Sequence, residues 1–241
     1  GSIVRFDGAG ASITVNGPQH TTATLNANVS GSFTGDIISN VNISGKQEKV
    51  KNLTNNSTLT FQTPSNLSTV SHSLEKSDVW KVKAIYDSGD TNTDPVLPTL
   101  TVANTSDTLT PGETITGQTS GAKGTVVLGA GGTTSVTYVP VSGTFVAENV
   151  TGATSNFTKV SSGVSNIDNN FPSKNILSQY DIDSGQRDNL YDYGSIKLKT
   201  GGTAPSGKIT VVFDFFTHTG TGYLSVDSYT GSIGFGDIPK Y

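Results

Sequence analysis

The stretch Ile209-Thr210-Val211-Val212-Phe213-Asp214-Phe215-Phe216 decides the fold, because large apolar side chains occupy both sets of alternating positions. Side chains of a β-strand point to opposite faces in turn, so this run predicts a central strand that is covered on both faces. The even-numbered residues need one cover and the odd-numbered residues need another. We expect one of these covers to come from Phe171–Leu177 or from a neighbouring chain.

Shorter alternating runs lie on either side of this strand in the sequence. The strongest is Trp80–Tyr86, in which one face carries Trp80, Val82, Ala84 and Tyr86 while Lys81 and Lys83 share the other. Trp80, the single tryptophan, is expected to fill the core behind this strand. Further strands are predicted at 12–15, 24–29, 37–43, 57–61, 126–128, 136–141, 195–199 and 223–227. Period-two patterning without a long helical stripe predicts an all-β chain of tandem small β-sandwich and β-meander modules.

The amino-acid composition limits the classes of function that this chain can have. Charged residues make up 14% of the 241 residues and the net charge is −4, so the chain lacks the basic surface that nucleic-acid binding requires. There is no cysteine, which excludes disulfides and thiolate metal sites. No apolar run approaches the ~20 residues of a membrane helix, so we expect no membrane insertion. Lys46, Lys49 and Lys51 alternate with Glu48 and polar residues, which indicates a solvated stretch.

The sequence divides into three expected modules, at residues 1–95, 96–163 and 164–241. The stiff stretch Asp94-Pro95-Val96-Leu97-Pro98 marks the first boundary. The middle module contains an internal repeat, in which Glu113, the glycine four residues on and a Thr-Ser pair recur from Glu148, 35 residues later. Two copies favour a unit of two similar hairpins, since a solenoid usually needs at least ~3 repeats. The chain has no methionine and begins Gly1-Ser2, so we expect it to be part of a longer polypeptide.

Three sequence patterns resemble known families. Tyr180–Asn189 reads Tyr-Asp-Ile-Asp-Ser-Gly-Gln-Arg-Asp-Asn, and it is followed by Val-Phe-Asp-Phe-Phe at 212–216 and by Asp-Ser-Tyr at 227–229. This combination resembles the C-terminal domain of unknown function in large tail and baseplate proteins of T4-like marine and cyanobacterial tailed bacteriophages. The Gly-Glu-x-x-x-Gly-x-Thr-Ser-Gly unit from Gly112 is similar to units in marine phage structural proteins. The aromatic-x-Val-x-Ala order from Trp80, with a later Ser-Gly, resembles the penultimate strand of fibronectin type III domains.

The phage resemblance implies a non-enzymatic virion structural component of a tail, baseplate or fibre, acting in assembly or attachment. It implies other virion proteins as partners and a homo-oligomer, for which a trimer is the first expectation. The alternative is a host-receptor or carbohydrate-binding adhesin that binds a surface glycan. Exposed aromatics beside acidic groups suit such a site, and the expected interaction residues are Tyr180, Arg187, Tyr191 and Tyr193, next to Asp192.

The acidic residues of the C-terminal tract suit either a metal site or a structural role. Asp181, Asp183 and Asp192 are weak candidates for a Ca²⁺ site, because carboxylates at alternate positions around a glycine suit a hard cation. We expect instead that nearby aspartates (Asp181, Asp183 or Asp188) bind Arg187 and that Arg187→Ala destabilises the C-terminal module. No cofactor is expected.

A tail-associated hydrolase with a catalytic triad is a third function. Ser225 would have to meet His218 and either Asp214 or Asp227, and the Gly-x-Ser-x-Gly signature of one hydrolase class does not occur. The sequence therefore favours a non-enzymatic protein.

Overall fold

The structure is a computed structural model, and it describes residues 12–16, 22–26, 47–61, 71–103, 107–129, 134–165, 175–187, 191–219 and 222–239. The chain forms two compact units, Gly1–Ser44 and Gly45–Tyr241. Regular structure in the described residues is β-strand, apart from 3₁₀ turns at Leu177–Gln179, Asp227–Tyr229 and Phe235–Asp237. This confirms the all-β class. None of the helical segments described could span a lipid bilayer.

The strands are numbered in chain order. They are β1 (Ser12–Asn16), β2 (Thr22–Asn26), β3 (Gln47–Glu48), β4 (Val50–Phe61), β5 (His72–Ser77), β6 (Val79–Asp87), β7 (Thr99–Val102), β8 (Thr114–Gly117), β9 (Lys123–Leu128), β10 (Ser135–Ser142), β11 (Asn149–Gly152), β12 (Thr158–Ser165), β13 (Tyr180–Asp183), β14 (Tyr193–Leu198), β15 (Ile209–Thr219) and β16 (Gly222–Tyr223).

The first unit contributes one antiparallel hairpin to the described residues. Strands β1 and β2 pair from Ser12 opposite Asn26 to Asn16 opposite Thr22. The strands predicted at 12–15 and 24–29 therefore correspond to this hairpin. The strand predicted at 37–43 lies outside the described residues.

The second unit is built on two three-stranded sheets, β4-β15-β6 and β13-β14-β5. Their facing sides enclose a core that includes Leu74, Ile85, Ile196, Val211 and Phe213, each at most 1% exposed. All residues from Ile209 to Phe216 are buried, as expected for a strand with apolar side chains on both faces. In β14, Ile196 and Leu198 point inward and Lys197 outward, as the alternation predicted.

Strand β15 joins two segments that are far apart in the sequence. It pairs antiparallel with β4 from Ile209 opposite Phe61 to Thr219 opposite Val50, and with β6 on its other side. Strand β5 pairs in turn with β14. Strands β4, β5 and β6 therefore do not close on themselves as a fibronectin-like sandwich, and they share one core with β13, β14 and β15. This differs from the division at residues 95 and 163, because long-range pairing cannot be read from local composition.

Two β-bulges in β6 alter the expected arrangement of its side chains. Trp80 and Lys83 are extra residues in the register with β15, so the alternation is broken twice within one strand. As a result Val82 enters the core between the two sheets, while Ala84 and Tyr86 point to the opposite face. Trp80 is only half-buried, against Phe216 at a ring distance of 6.0 Å. The expectation that Trp80 fills the core is therefore wrong.

The chain itself covers the second face of β15. Val212 packs with Ala84 and Tyr86 of β6 and with Val127 and Val139 of the middle segment. Further along the same face, Phe216 meets the ring of Tyr229 edge-on at 5.1 Å. Ile176 and Leu177 lie on the other side, against the core between the sheets. A neighbouring chain is thus not needed to bury β15; Phe171 lies outside the described residues.

The middle segment is a closed six-stranded antiparallel barrel in the order β10-β7-β12-β11-β8-β9. Its core includes Leu100, Ile115, Val126, Val136 and Val150, which are all fully buried. Tyr138 and Phe145 fill the space between them with an edge-to-face contact at 5.3 Å. A closed barrel leaves no unpaired edge strand. The sequence predicted a sandwich or a meander, so the observed architecture of this segment differs from the prediction.

The 35-residue repeat has a reciprocal structural role in this barrel. Strands β8 and β11 carry the two copies and pair antiparallel, with Thr116 opposite Thr151. Glu148 accepts hydrogen bonds from the Thr119 and Ser120 amides of the first copy at 2.7 and 2.8 Å. Glu113 likewise accepts bonds from Thr154 and Ser155 of the second copy. Each copy therefore supplies the carboxylate that holds the other copy's turn.

The hydrogen bonds to Glu148 predict an acid-sensitive barrel. Burial alone would raise the pKa of Glu148, but bonds from the Ser120 hydroxyl and from the Ser120, Val146 and Thr119 amides lower it from 4.5 to about 2. Because the folded pKa is depressed, this stabilisation is complete above pH 4.5 and is lost as the pH falls towards 2. We expect Glu148→Gln to lower the free energy of unfolding by about 2 kcal/mol at neutral pH.

Denaturant unfolding of the wild type and the variant across this acid range tests the prediction. The difference between the two proteins should shrink as the pH falls, because protonation removes the same charge as the substitution. Glu75→Gln, at an exposed position, is the control and should change little. A constant difference between Glu148→Gln and the wild type at all pH values would contradict this account.

The C-terminal end differs from the expected meander. Gly222–Tyr223 pairs in parallel with Gln47–Glu48, not with β15. Residues 225–230 form a turn whose Tyr229 covers β15 instead. The strand predicted at 223–227 is therefore wrong beyond its first residue.

Candidate functional site

A completely buried lysine is the centre of the candidate site. The side chain of Lys51, on β4, is 0% exposed, and its ammonium group lies 2.7 Å from Oδ2 of Asp78, which is also 0% exposed. The remaining two donors of the ammonium group bind the hydroxyl oxygens of Tyr191 and Tyr229 at 2.8 and 2.9 Å. The rings of these tyrosines also lie beside Nζ, each at 4.5 Å from ring centroid to nitrogen. All three donors of the cation are thus satisfied.

Asp78 connects this lysine to the end of β15 and to the β13–β14 connection. It occupies the turn between β5 and β6 with a positive φ of 56°, which Asp tolerates better than most residues. Its Oδ1 accepts a hydrogen bond from Nε2 of Gln186 at 2.6 Å, and its Oδ2 lies 2.8 Å from Nε2 of His218. Five separate chain segments therefore meet at one carboxylate and one ammonium group, and we call these six residues the Lys51 cluster.

The Lys51 cluster holds its charge rather than releasing it. Burial alone would lower the pKa of Lys51, but hydrogen bonds with Asp78, Tyr191 and Tyr229, and the charge of Asp78, raise it above its ordinary value. The ammonium group is therefore retained at neutral pH. A lysine in this state is a structural cation and a poor nucleophile.

A shallow groove of about 310 Å³ lies beside the cluster. His218 reaches it with a side chain that is 24% exposed. Tyr193, with 62% exposure, is the most accessible aromatic residue of its lining. The lining also includes Glu75, Lys76, Ser77, Phe215, Phe216 and Thr217. An exposed ring beside charged side chains is a surface on which a sugar or a peptide can stack.

A second buried polar cluster lies at the middle of β15, where the sheet contacts the barrel. Asp214 of β15 is 0% exposed and accepts a hydrogen bond at Oδ1 from the backbone amide of Asn56 at 2.7 Å. Nζ of Lys83 lies 2.9 Å from Oδ2 of Asp214 and donates to Oδ1 of Asn56 at 2.7 Å. The Lys83–Asp214 contact is electrostatic, since Oδ2 has no hydrogen bond of good geometry. The Asn56 side chain in turn donates to the backbone oxygen of Val126 in the barrel.

The expected interaction residues are placed in different environments. Tyr180 is 3% exposed and belongs to the core between the sheets, so its ring is not accessible to a partner. Tyr191 is half-buried and bound to Lys51. Tyr193 and Asp192 are exposed. The three tyrosines therefore do not form one surface.

The weak Ca²⁺ candidates do not converge on a common point. Asp183 is bound by both terminal nitrogens of Arg187 at 2.9 and 2.8 Å, and Asp192 lies 4.0 Å from the same guanidinium group. Asp181 lies on β13 opposite Lys197. The described part of the chain contains no group of three acidic, histidine or cysteine residues with metal-binding geometry. Asp188 lies outside the described residues.

Arg187 pairs with Asp183 as expected, but on the surface. Both side chains are more than 40% exposed, so solvent screens the pair and competes for its hydrogen bonds. We therefore expect Arg187→Ala to leave the melting temperature close to that of the wild type. A thermal unfolding scan checks this, and a loss as large as that of Glu148→Gln would contradict the surface placement.

The residues considered for a hydrolase triad are dispersed. His218 belongs to the Lys51 cluster and Asp214 to the second cluster, whereas Ser225 donates to Glu48 near the chain's C-terminal turn. Within the described ranges, no hydrogen bond joins His218 to Ser77, the serine in the groove lining.

Sequence reasoning missed the central residues for an identifiable reason. Lys51 lies in a stretch of alternating charges and polar residues, which indicated a solvated strand, yet its side chain is completely buried. Asp78 lies in a polar turn with nothing in the sequence to distinguish it. The C-terminal tract did contain residues of the Lys51 cluster, but these are Gln186 and Tyr191 and not Arg187. Gln186 and Tyr191 face each other in an isolated β-bridge and both enter the cluster.

No protein-family model, no curated protein and no solved structure matches this chain.

Proposed function

We propose that this chain is a non-enzymatic structural component of a tailed-bacteriophage virion, part of a tail, baseplate or fibre, acting in assembly or attachment. The observation that carries the proposal is the presence of two buried ion pairs between distant parts of the chain. Lys51 pairs with Asp78 and Lys83 pairs with Asp214, and each of these two buried ion pairs connects segments that are distant in the sequence. Such networks hold one geometry in place, which suits a part that transmits load or positions its neighbours. The resemblance of the C-terminal tract to phage tail and baseplate proteins is the reason for proposing a virion as the assembly.

The arrangement around the groove favours this function over hydrolysis. A serine hydrolase needs a nucleophile within hydrogen-bond reach of a base. His218 is held by Asp78, but the serine of the groove lining is not bound to it. The site therefore has an oriented imidazole without an activated hydroxyl.

Exposed apolar residues support a role in association. Tyr223, Val226 and Phe235 are 50%, 52% and 76% exposed, and they lie within one short stretch of the C-terminal segment. Burial of such side chains between chains contributes favourably to assembly. The expected partners are other virion proteins and further copies of this chain, with a trimer as the first expectation.

Light scattering of the purified chain over a range of concentrations tests the proposal. We expect an oligomer that Phe235→Ser weakens, while Leu128→Ser, at a barrel position with 66% exposure, leaves it intact. A monomer at every concentration, combined with no large interface of this chain in the particle, would overturn the structural proposal.

A carbohydrate-binding adhesin is the second candidate, and Tyr193 is the observation in its favour. Its exposed ring lies at the groove with Glu75, Lys76 and Thr217, which offer hydrogen-bonding groups to sugar hydroxyls. A glycan array with the wild type, Tyr193→Ala and the control Tyr223→Ala separates the candidates. Glycan binding by a monomer that only Tyr193→Ala abolishes would favour the adhesin.

A further inference from the structure

We propose that Lys83 and Asn56 form an intramolecular amide bond, with Asp214 as the proton carrier and with release of ammonia. The three residues lie on three adjacent strands: Asn56 on β4, Asp214 on the central β15 and Lys83 on β6. The bond would therefore connect the two outer strands of the sheet across its central strand. No residue of the chain is a cysteine, so an amide is a covalent cross-link that this composition permits.

The backbone brings these side chains to one point through irregularities in both flanking strands. Strand β4 carries a bulge opposite Asp214, where Asn56 has a positive φ of 52°. Strand β6 carries the bulge at Lys83. The bulges take Asn56 and Lys83 out of the regular register with β15. The two bulges direct an amine and a carboxamide onto the same carboxylate.

The distances and burial suit an amide-forming reaction. Nζ of Lys83 lies 2.7 Å from the carbonyl oxygen of Asn56 and 2.9 Å from Oδ2 of Asp214. The second distance is short enough for proton transfer once an N–H of Lys83 turns towards Oδ2. Asn56 is 5% exposed and Asp214 0% exposed, so bulk water is kept from the carboxamide and the carboxylate. Groups held in this way react with effective concentrations far above those in solution.

The reaction balances without any co-reactant. Oδ2 of Asp214 takes a proton from the Lys83 ammonium group; the freed lone pair forms a bond to Cγ of Asn56, and the carbonyl electrons move to Oδ1. As Cγ becomes tetrahedral, Nδ2 leaves the carboxamide plane and the Val126 oxygen and turns towards Asp214, which passes its proton to Nδ2. The Cγ–Nδ2 bond breaks as the carbonyl re-forms, and ammonia leaves. The second Nζ proton departs with the ammonia as ammonium, and Asp214 ends as the carboxylate with which it began.

The surroundings of each group fit its part in the reaction. Nδ2 of Asn56 points away from Lys83, towards the backbone oxygen of Val126, so the leaving group and the nucleophile are on different sides of the carbonyl carbon. The Lys83 side chain retains 15% exposure, which gives the ammonia a way out. Lys51 differs, because all three of its donors are bound and it has no carboxamide partner among the atoms it contacts.

Denaturing mass spectrometry of the intact folded chain tests the proposal. We expect the mass to fall below the sequence mass by one ammonia molecule. Digestion should then give a branched peptide in which the Asn56 and Lys83 segments are joined, with no tryptic cleavage after Lys83. The full sequence mass in protein shown to be folded by circular dichroism would overturn the proposal. A deficit of one water molecule, mapped to Lys51 and Asp78, would overturn the assignment as well.

Three variants separate the roles of the residues. Lys83→Arg removes the nucleophile while keeping a cation, and Asp214→Asn removes the proton carrier while keeping the shape, so both should show the full sequence mass. Lys81→Arg, at an exposed position of the same strand, should keep the ammonia deficit. A deficit that persists in Lys83→Arg would overturn the choice of lysine, and one that persists in Asp214→Asn would overturn the role of the aspartate.

Discussion

Asp78→Asn is expected to lower the free energy of unfolding by about 3–5 kcal/mol, the usual effect of leaving one member of a buried ion pair without its partner. The Lys51 ammonium group has no access to water, because its side chain is 0% exposed. Asparagine keeps the shape and tolerates the positive φ of this position, so the substitution isolates the loss of charge. Denaturant unfolding followed by the fluorescence of Trp80, the single tryptophan, measures the change.

A double-mutant cycle separates the pair from other effects of the substitution. Lys51→Met removes the cation and keeps most of the side-chain volume. If the ion pair is responsible, the double variant Lys51→Met/Asp78→Asn should lose much less stability than the sum of the two single variants. Additive losses, or a cost below about 1 kcal/mol for Asp78→Asn, typical of an exposed pair, would contradict the burial of the Lys51 cluster.

Phe213→Ala is expected to cost a similar amount, about 3–5 kcal/mol, through the cavity it leaves. Phe213 is 1% exposed and lies in the core between the two sheets, 6.0 Å from the ring of Phe215. Because β15 is hydrogen-bonded to both β4 and β6, the loss should destabilise all three strands together. Denaturant unfolding gives the total, and hydrogen exchange shows which strands share it.

The matched control lies on the same strand. Thr217 is exposed at the end of β15, so Thr217→Ala should change stability by at most about 0.5 kcal/mol. If Phe213→Ala weakened protection only within residues 209–219 and left 79–87 unchanged, the shared core would be contradicted.

The central strand could be predicted from the sequence because its signal is local. Eight consecutive residues with apolar side chains on both faces have few solutions other than a strand covered on both sides, and residues 209–216 are all buried. The inward positions of Ile196 and Leu198 followed from the same alternation. Both patterns depend on near neighbours in the chain.

The partners of that strand could not be predicted in the same way. Strand β4 precedes β15 by about 160 residues, and Thr60 and Thr210, whose hydroxyl groups bond at 2.8 Å, are 150 residues apart. Nothing in the sequence of either strand specifies the other. The bulges at Trp80 and Lys83 added a second difficulty, because one extra residue reverses the faces of all that follow.

The candidate site was only partly visible in the sequence. The tract from Tyr180 was recognised as unusual, and its Gly185, with a φ of 78°, is packed against the backbone of Asp192 and Gly194, where a side chain would not fit. The tract positions Gln186 and Tyr191, and both residues belong to the Lys51 cluster. A lysine among polar neighbours is usually on the surface, and only the three-dimensional pairing shows that Lys51 is not.

Strands β4, β5, β6, β13 and β14 form one scaffold with β15 at its centre, and buried charge fixes it. Hydrogen–deuterium exchange of the intact chain tests it most directly, because exchange reports the free energy at which each strand opens. We expect the amides of 50–61, 79–87 and 209–216 to exchange only through one common unfolding, with the same free energy of opening. Exchange of 209–216 at a clearly lower free energy than 79–87 would contradict it, since β15 would then separate from the strands it is proposed to join.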